Sequence, residues 1–339
     1  MLRRRLLRWS ARLVLRLFTR TRVTGREHLQ TPGPVLFCAN HDSTFDALLF
    51  MALLPVDTVL VGPGDFTLRW PGSMLLRWAN LIPMKRGAVD RDGLKRMLGV
   101  LKDGQRLALF PEGGTWEKPI DEVKSGASYL SQASGAQMVP MAFGGTYLVW
   151  GKMRRLQRPR VTIIIGAPLP AVTLSGDRAR RQDELQSAAE DIMRRIYELL
   201  PAEDRARYDR FARQRYSGAL AITPSDITPP PVSFDALAEL VAKPNLFSPL
   251  HNEAGLPVKP FQKLGQPFPV ETVRAAATAL WDAFDAGDFA TYLEYRFGEE
   301  KAHAIQAALA ALRYGLEGAE TVAFVVTVTE DGAGRASAG

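Results

Sequence analysis

A single cysteine, Cys38, stands in 339 residues. That excludes an intramolecular disulfide framework and fits a reducing cytosol. Histidine is nearly as scarce, with four scattered copies, so no structural zinc site is expected. Acidic residues are missing from the first 26 positions, which hold nine arginines. Uninterrupted apolar runs of the roughly 18–20 residues needed to span a bilayer are missing as well. Arg8, Arg12 and Arg16 also break any apolar centre that a signal peptide would require. No internal repeat occurs.

What is present is a large, uneven charge. The net value is +7, yet from Pro231 onward there are 8 basic and 14 acidic residues, so the excess lies in the N-terminal part. Such polarity points to an anionic partner. In the opening "MLRRRLLRWSARLVLRLFTRTRV", Leu2, Leu6, Leu7, Trp9, Leu13 and Leu17 recur at helical spacing, with arginines largely between them. The pattern suits an amphipathic helix over residues 1–22 lying in an anionic membrane interface, arginine on the phosphates and Leu and Trp in the acyl boundary. This places the protein at the cytoplasmic face of a membrane, peripheral or monotopic. An ordinary docked helix with a solvated basic face is the alternative. Nucleic acid is not an expected partner, because no nucleic-acid motif accompanies these arginines.

Beyond residue 23, short apolar runs alternate with helix-length segments. The runs are 34–40, 57–62, 80–84, 105–110, 136–143 and 160–166, several of them rich in β-branched residues. This predicts an α/β domain over 23–222 with a mostly parallel sheet flanked by helices, closed by an amphipathic helix at 180–200. The proline-rich "TPSDITPPPVS" reads as a linker over 223–233. A small, mainly helical domain follows over 234–330 with one strand-like run near its end, then a disordered tail over 331–339. Nothing in this C-terminal part carries recognisable chemistry.

Four stretches carry possible chemistry. In "VLFCANHDSTFDALL", His41 follows a strand end, where open α/β sheets place their sites, and Ser43 or Thr44 is positioned to cap the next helix. Were His41 and Asp46 both mid-helix, about 140° around the axis would separate them. With His41 on the loop and Asp46 in the first turn, the carboxylate can fold back on the ring and leave the other nitrogen as a base. By itself the pattern is weak and reads first as a polar capping loop. "ALFPEGGTW" places Glu112 and Gly113 after another strand, where glycines let backbone approach a ligand. "NLIPMKRG" places Lys85 and Arg86 beyond a third, suited to clamping a phosphate. "MVPMAF" is most economically a buried strand. Each of these alone also fits a plain turn, an exposed basic turn or a core element.

In this order and spacing, "NHDSTFD", "IPMKRG", "FPEGG" and "VPMAF", with "KSGASYL" between the last two, resemble the blocks of the lysophospholipid (1-acylglycerol-3-phosphate) acyltransferases, a family of glycerolipid acyltransferases. The resemblance covers roughly residues 20–200 and implies a glycerol-3-phosphate acyltransferase-like fold. It implies that His41 deprotonates the acceptor hydroxyl and that Asp46 orients His41. Arg86, with Lys85, would bind the acceptor phosphate, and Glu112 with Gly113 would complete the acceptor pocket. The donor would be acyl-CoA or acyl-carrier protein, with no metal or other cofactor. Cys38, in an apolar strand, reads as a core residue and not as a nucleophile. One departure stands out. The family's third block commonly continues with Thr-Arg, whereas Gly114, Thr115 and Trp116 follow here, with Lys118 and Lys124 as nearby cations. A different lyso-lipid acceptor, or a catalytically silent membrane scaffold, are the competing readings.

Overall fold

The computed structural model describes residues 2–64, 78–79, 81–85, 90–115, 120, 123–243, 258–285 and 288–331. Packing divides the chain into two compact units, Met1–Asp209 and Arg210–Gly339.

The first unit is built on a mixed, mostly parallel sheet. Its strands are β1 (Arg20–Thr24), β2 (Val35–Ala39), β3 (Val59–Pro63), β4 (Leu81–Met84), β5 (Arg106–Leu109), β6 (Gln137–Gly144) and β7 (Arg160–Ile165). Their spatial order is β1-β7-β6-β2-β5-β3-β4, and β6 with β7 is the antiparallel pair. All five residues of β2 are buried, as a strand covered on both faces requires. Its side chains divide between two layers. Val35, Phe37 and Ala39 join a core with α1 (Leu2–Phe18) and α2 (Phe45–Leu53). Leu36 and Cys38 join another with α3 (Arg91–Lys102), α4 (Gly126–Ser134) and α6 (Arg181–Leu199). Each Leu or Phe buried this way contributes about 1.5–3 kcal/mol.

This arrangement fixes where a site forms. Strand β2 leads into α2 on one face, while its neighbour β5 leads toward α4 on the other. The carboxyl ends of β2 and β5 therefore flank a switch point, the place where open α/β sheets leave a crevice.

The described elements follow the expected strands closely, with three differences. The N-terminal helix stops at Phe18, because Thr19 turns both its N–H and its hydroxyl onto the Leu15 carbonyl. Residues 20–24, expected partly as helix, form β1 and pair in parallel with β7 from Arg20 opposite Arg160. Two further helices, α5 (Val149–Arg154) and α7 (Ala202–Arg213), were not anticipated. Most of the run 66–79, read as helical, lies outside the described residues.

Helix α1 also differs from a simple amphipathic helix. Leu7, Ala11 and Leu15 are buried, and Arg8 and Arg12 donate to the carbonyls of Leu53 (3.1 Å) and Ala52 (2.8 Å) at the end of α2. Those two cations serve a helix C-terminus, not a phosphate surface. Leu2, Leu6, Trp9, Leu13 and Leu17 form a second, exposed apolar stripe. Among the described residues no helix is long and apolar enough to cross a membrane.

The second unit holds α8 (Asp235–Ala242), α9 (Lys259–Gln262), α10 (Val270–Asp285), α11 (Asp288–Phe297) and α12 (Glu299–Tyr314). It also holds a three-stranded antiparallel sheet in the order β8 (Gln214–Thr223), β10 (Thr321–Glu330), β9 (Phe268–Pro269). Strand β8 pairs along its whole length with β10. The compact boundary thus falls at Asp209, before β8, and not at 222. Strand β8 was not expected at the end of the α/β domain, because "QRYSGALAIT" mixes small and polar residues, and a lone such run carries little strand signal until its partner is known.

Candidate active site

The site begins where β2 ends. Asn40 is fully buried, and its side-chain amide exchanges two hydrogen bonds with Phe143 of β6: Nδ2 donates to the carbonyl (3.0 Å) and Oδ1 accepts from the N–H (2.7 Å). A side chain thus continues the β2–β6 ladder for one more step. The backbone is released to turn, and His41 is the first residue of the turn.

Three contacts fix His41. Its Nδ1 lies 3.1 Å from Asp46 Oδ2. Its ring stacks on Phe110, with centroids 3.8 Å apart and planes within 6°. Its backbone N–H donates to Glu112 Oε1 at 2.8 Å. The Asp46 oxygen that meets the ring also accepts the N–H groups of Asp42 and Ser43, both at 2.8 Å. Asp46 is fully buried in the first turn of α2, while the His41 side chain stays 16% exposed. With Nδ1 donating to the carboxylate, Nε2 is the acceptor nitrogen. The loop-and-first-turn arrangement expected for this pair is the one found.

The capping expectation is met differently. The Ser43 hydroxyl accepts from the Phe45 N–H (3.2 Å), while Thr44 takes the Trp150 indole N–H on its hydroxyl (2.9 Å).

Glu112 and Gly113 follow β5 in a turn closed by Gly113 N–H donating to the Phe110 carbonyl (3.0 Å). Gly113 holds φ of +79°, a left-handed backbone suited to glycine. The turn carries the Glu112 carboxylate back under the His41 loop, where it is fully buried. Glu112 was expected to line an acceptor pocket; in this geometry its Oε1 accepts the backbone N–H of His41 and, at 3.5 Å, the Tyr208 hydroxyl.

Lys85 does not join this cluster. It is exposed at the end of β4, its N–H donating to Asp90 (3.0 Å), and β4 lies three strand places from β2, roughly 14 Å at ordinary spacing. Arg86, Trp116 and Lys118 lie outside the described residues. Lys124 is exposed. Cys38 is buried on the layer opposite α2, and burial pushes its thiol far above the thiolate range.

A second set of residues was not foreseen. Asp42 is buried and bound from α7: the Arg207 guanidinium pairs with Oδ2, and the Tyr208 hydroxyl donates to Oδ1 at 2.9 Å. Arg207 also reaches Asp204 (2.6 Å), whose carboxylate accepts the Gly145 N–H. At Gly144 a Cβ would lie 2.7 Å from both Asp204 and Pro201, so glycine there admits this close approach. Burial pushes the Asp42 carboxyl up to about 7, against the pull of Arg207. Burial also opposes the charge on Arg207, yet Asp42 and Asp204 outweigh it and raise its pKa above the usual value. Asp42 therefore ties the His41 loop to α7. In sequence, "AEDRARYDRFAR" is a run of charged residues, and nothing marks its buried members before the fold is known.

Residues 20–144 match the Acyltransferase family model. Among solved structures, the 1-acyl-sn-glycerophosphate (LPA) acyltransferase PlsC of Thermotoga maritima is similar. It is 20% identical over 58% of this chain and 79% of its own, with a TM-score of 0.41. The matched segment holds β1 through β6 and with them His41, Asp46 and Glu112. Residues 20–144 are thus an acyltransferase-family segment, and that segment holds the candidate site.

Proposed function

We propose that this protein moves a fatty acyl chain from a thioester, acyl-CoA or acyl-carrier protein, onto a hydroxyl of a lysophospholipid, with lysophosphatidic acid as first acceptor and phosphatidic acid as product. The observation that carries this reading is the His41–Asp46 pair at the β2/β5 switch point, with the ring held on one edge and one face and part of it open to solvent.

The chemistry follows from that placement. His41 Nε2 takes the acceptor hydroxyl proton as the oxygen attacks the thioester carbonyl. Asp46 stabilises the imidazolium that forms. When the tetrahedral intermediate collapses, the carbon–sulfur bond breaks, and the imidazolium returns its proton to the departing thiolate. Positioned general-base catalysis of this kind supplies typically about 10²–10⁴-fold. The acyl group passes directly to the acceptor, since Cys38 is buried, neutral and on the wrong layer to form an acyl-enzyme. Glu112 acts by holding the His41 backbone. Arg86, with Lys85, remains the proposed phosphate clamp, and Gly113 shapes the acceptor side. The reaction takes place at a phospholipid surface, from which an insoluble acceptor is drawn.

The replacement of the family's Thr-Arg by Gly114–Trp116 favours a second acceptor reading, in which the headgroup is not a bare phosphate. His41→Ala is expected to abolish thioester turnover on lysophosphatidic acid vesicles while folding is kept; turnover at the wild-type rate would overturn the mechanism and leave a scaffold role. Arg86→Ala is expected to raise the acceptor KM with kcat little changed. A panel of lyso-lipids with one labelled thioester separates the two acceptor readings.

A further inference from the structure

The stretch 147–160, "YLVWGKMRRLQRPR", holds five basic residues, and no acidic residue occurs anywhere from 123 to 176. In the fold it makes a turn around α5 with two unlike sides. Val149 is fully buried in the α1/α2 layer, and Met153 packs against it. Leu148, Trp150 and Leu156 face solvent, at 50%, 44% and 83% exposure. Leu148 and Leu156 hold φ of +52° and +57°, a left-handed conformation that is unfavourable for a branched apolar side chain. Backbone strain is thus maintained at both ends of α5 to aim leucines at water.

This turn is joined to both other features of interest. Arg158 donates to the carbonyls of Arg16 (2.7 Å) and Thr19 (3.0 Å), which ties it to the end of α1 and its outward stripe of Leu2, Leu6, Trp9, Leu13 and Leu17. Trp150 donates to Thr44, between His41 and Asp46 in the chain, and packs edge-on against Phe45 (5.4 Å). Exposed Leu and Trp set among arginines, without acids, complement a surface that is anionic outside and apolar beneath.

We propose that the turn 147–160 is a second membrane contact, which together with the outward stripe of α1 seats the mouth of the His41 site on an anionic phospholipid bilayer. Leu148, Trp150 and Leu156 enter the acyl boundary, and Lys152, Arg154 and Arg155 meet the phosphates. This deepens the reading of a lipid acceptor and rests on it for its purpose, but binding itself is measured separately.

The test is sedimentation of the full chain with vesicles of phosphatidylglycerol and phosphatidylcholine in equal parts, against phosphatidylcholine alone. Wild type is expected to sediment with the anionic vesicles. Leu156→Asp and the pair Arg154→Glu, Arg155→Glu are each expected to weaken that binding about tenfold or more. Leu264→Asp, at an exposed leucine of the second unit, is expected to bind as wild type. Equal binding by all variants, or equal loss in the Leu264 control, overturns the proposal. Thioester turnover then distinguishes the two readings: the Leu156 and Arg154/Arg155 variants should keep transfer to a short-chain acceptor dissolved in water and lose it on vesicles. Sedimentation without transfer to either acceptor, by wild type itself, would instead remove the acyl-acceptor reading and leave the docking surface standing.

Discussion

His41 has one freedom left, the direction in which its unbound edge meets solvent. Asp46 holds Nδ1, Phe110 covers one face and Glu112 holds the backbone N–H. The two carboxylate contacts make separable predictions. Asp46→Asn keeps the size but lets an amide face Nδ1, so the acceptor nitrogen is no longer fixed; kcat is expected to fall about 10²-fold or more with acceptor KM little changed, in steady-state thioester assays. Glu112→Ala leaves the His41 N–H without its carboxylate and should cost about 1–3 kcal/mol in urea unfolding, with kcat falling. Glu112→Gln retains an acceptor oxygen and should recover most of both. A Glu112→Ala variant altered in acceptor KM alone would return Glu112 to the substrate-contact role that its sequence block suggests.

Helix α7 shows how one element acts on a site that its sequence does not advertise. Arg207 lies between Asp42 and Asp204 in a buried cluster, with Tyr208 completing the shell of Asp42. A buried pair of this kind adds little over an apolar replacement of the whole cluster, yet removing one partner is costly because the remaining charge stays buried. Arg207→Met is therefore expected to lower stability by about 3–5 kcal/mol in chemical denaturation. Tyr208→Phe removes the hydroxyl that donates to Asp42 and lies 3.5 Å from both Asn40 and Glu112, and should cost about 1–3 kcal/mol. Helix α1 carries the complementary lesson. Its arginines look alike in sequence, but Arg8 and Arg12 are committed to the end of α2, so the basic surface open to a partner is smaller than composition suggests.

On the scale of the molecule, two compact units meet in sequence within α7, which spans Ala202–Arg213 across the division at Asp209. A chain ending at Leu200 loses Asp204, Arg207 and Tyr208 and leaves Asp42 buried without its cation. It is expected to lose about 3–5 kcal/mol relative to one ending at Arg213, read by denaturant unfolding of both.

The local pattern of the chain was sufficient for much of this. Apolar runs of strand length bounded by turns placed β2 through β7 to within a residue or two, because a sheet buried on both faces demands continuous apolar strands. The five-residue spacing of His41 and Asp46 allowed their pairing, because a loop followed by a first helical turn can bring such residues together, but by itself it read first as a capping loop. Tertiary structure alone decided the rest. Strand β1 exists because β7 lies beside it, and the buried role of Asp42 exists because α7 arrives from 165 residues away. The division of the α1 leucines into a docked and an open stripe exists because α2 covers one side. A charged or mixed residue carries no local mark of burial, since its environment is set by partners distant in sequence.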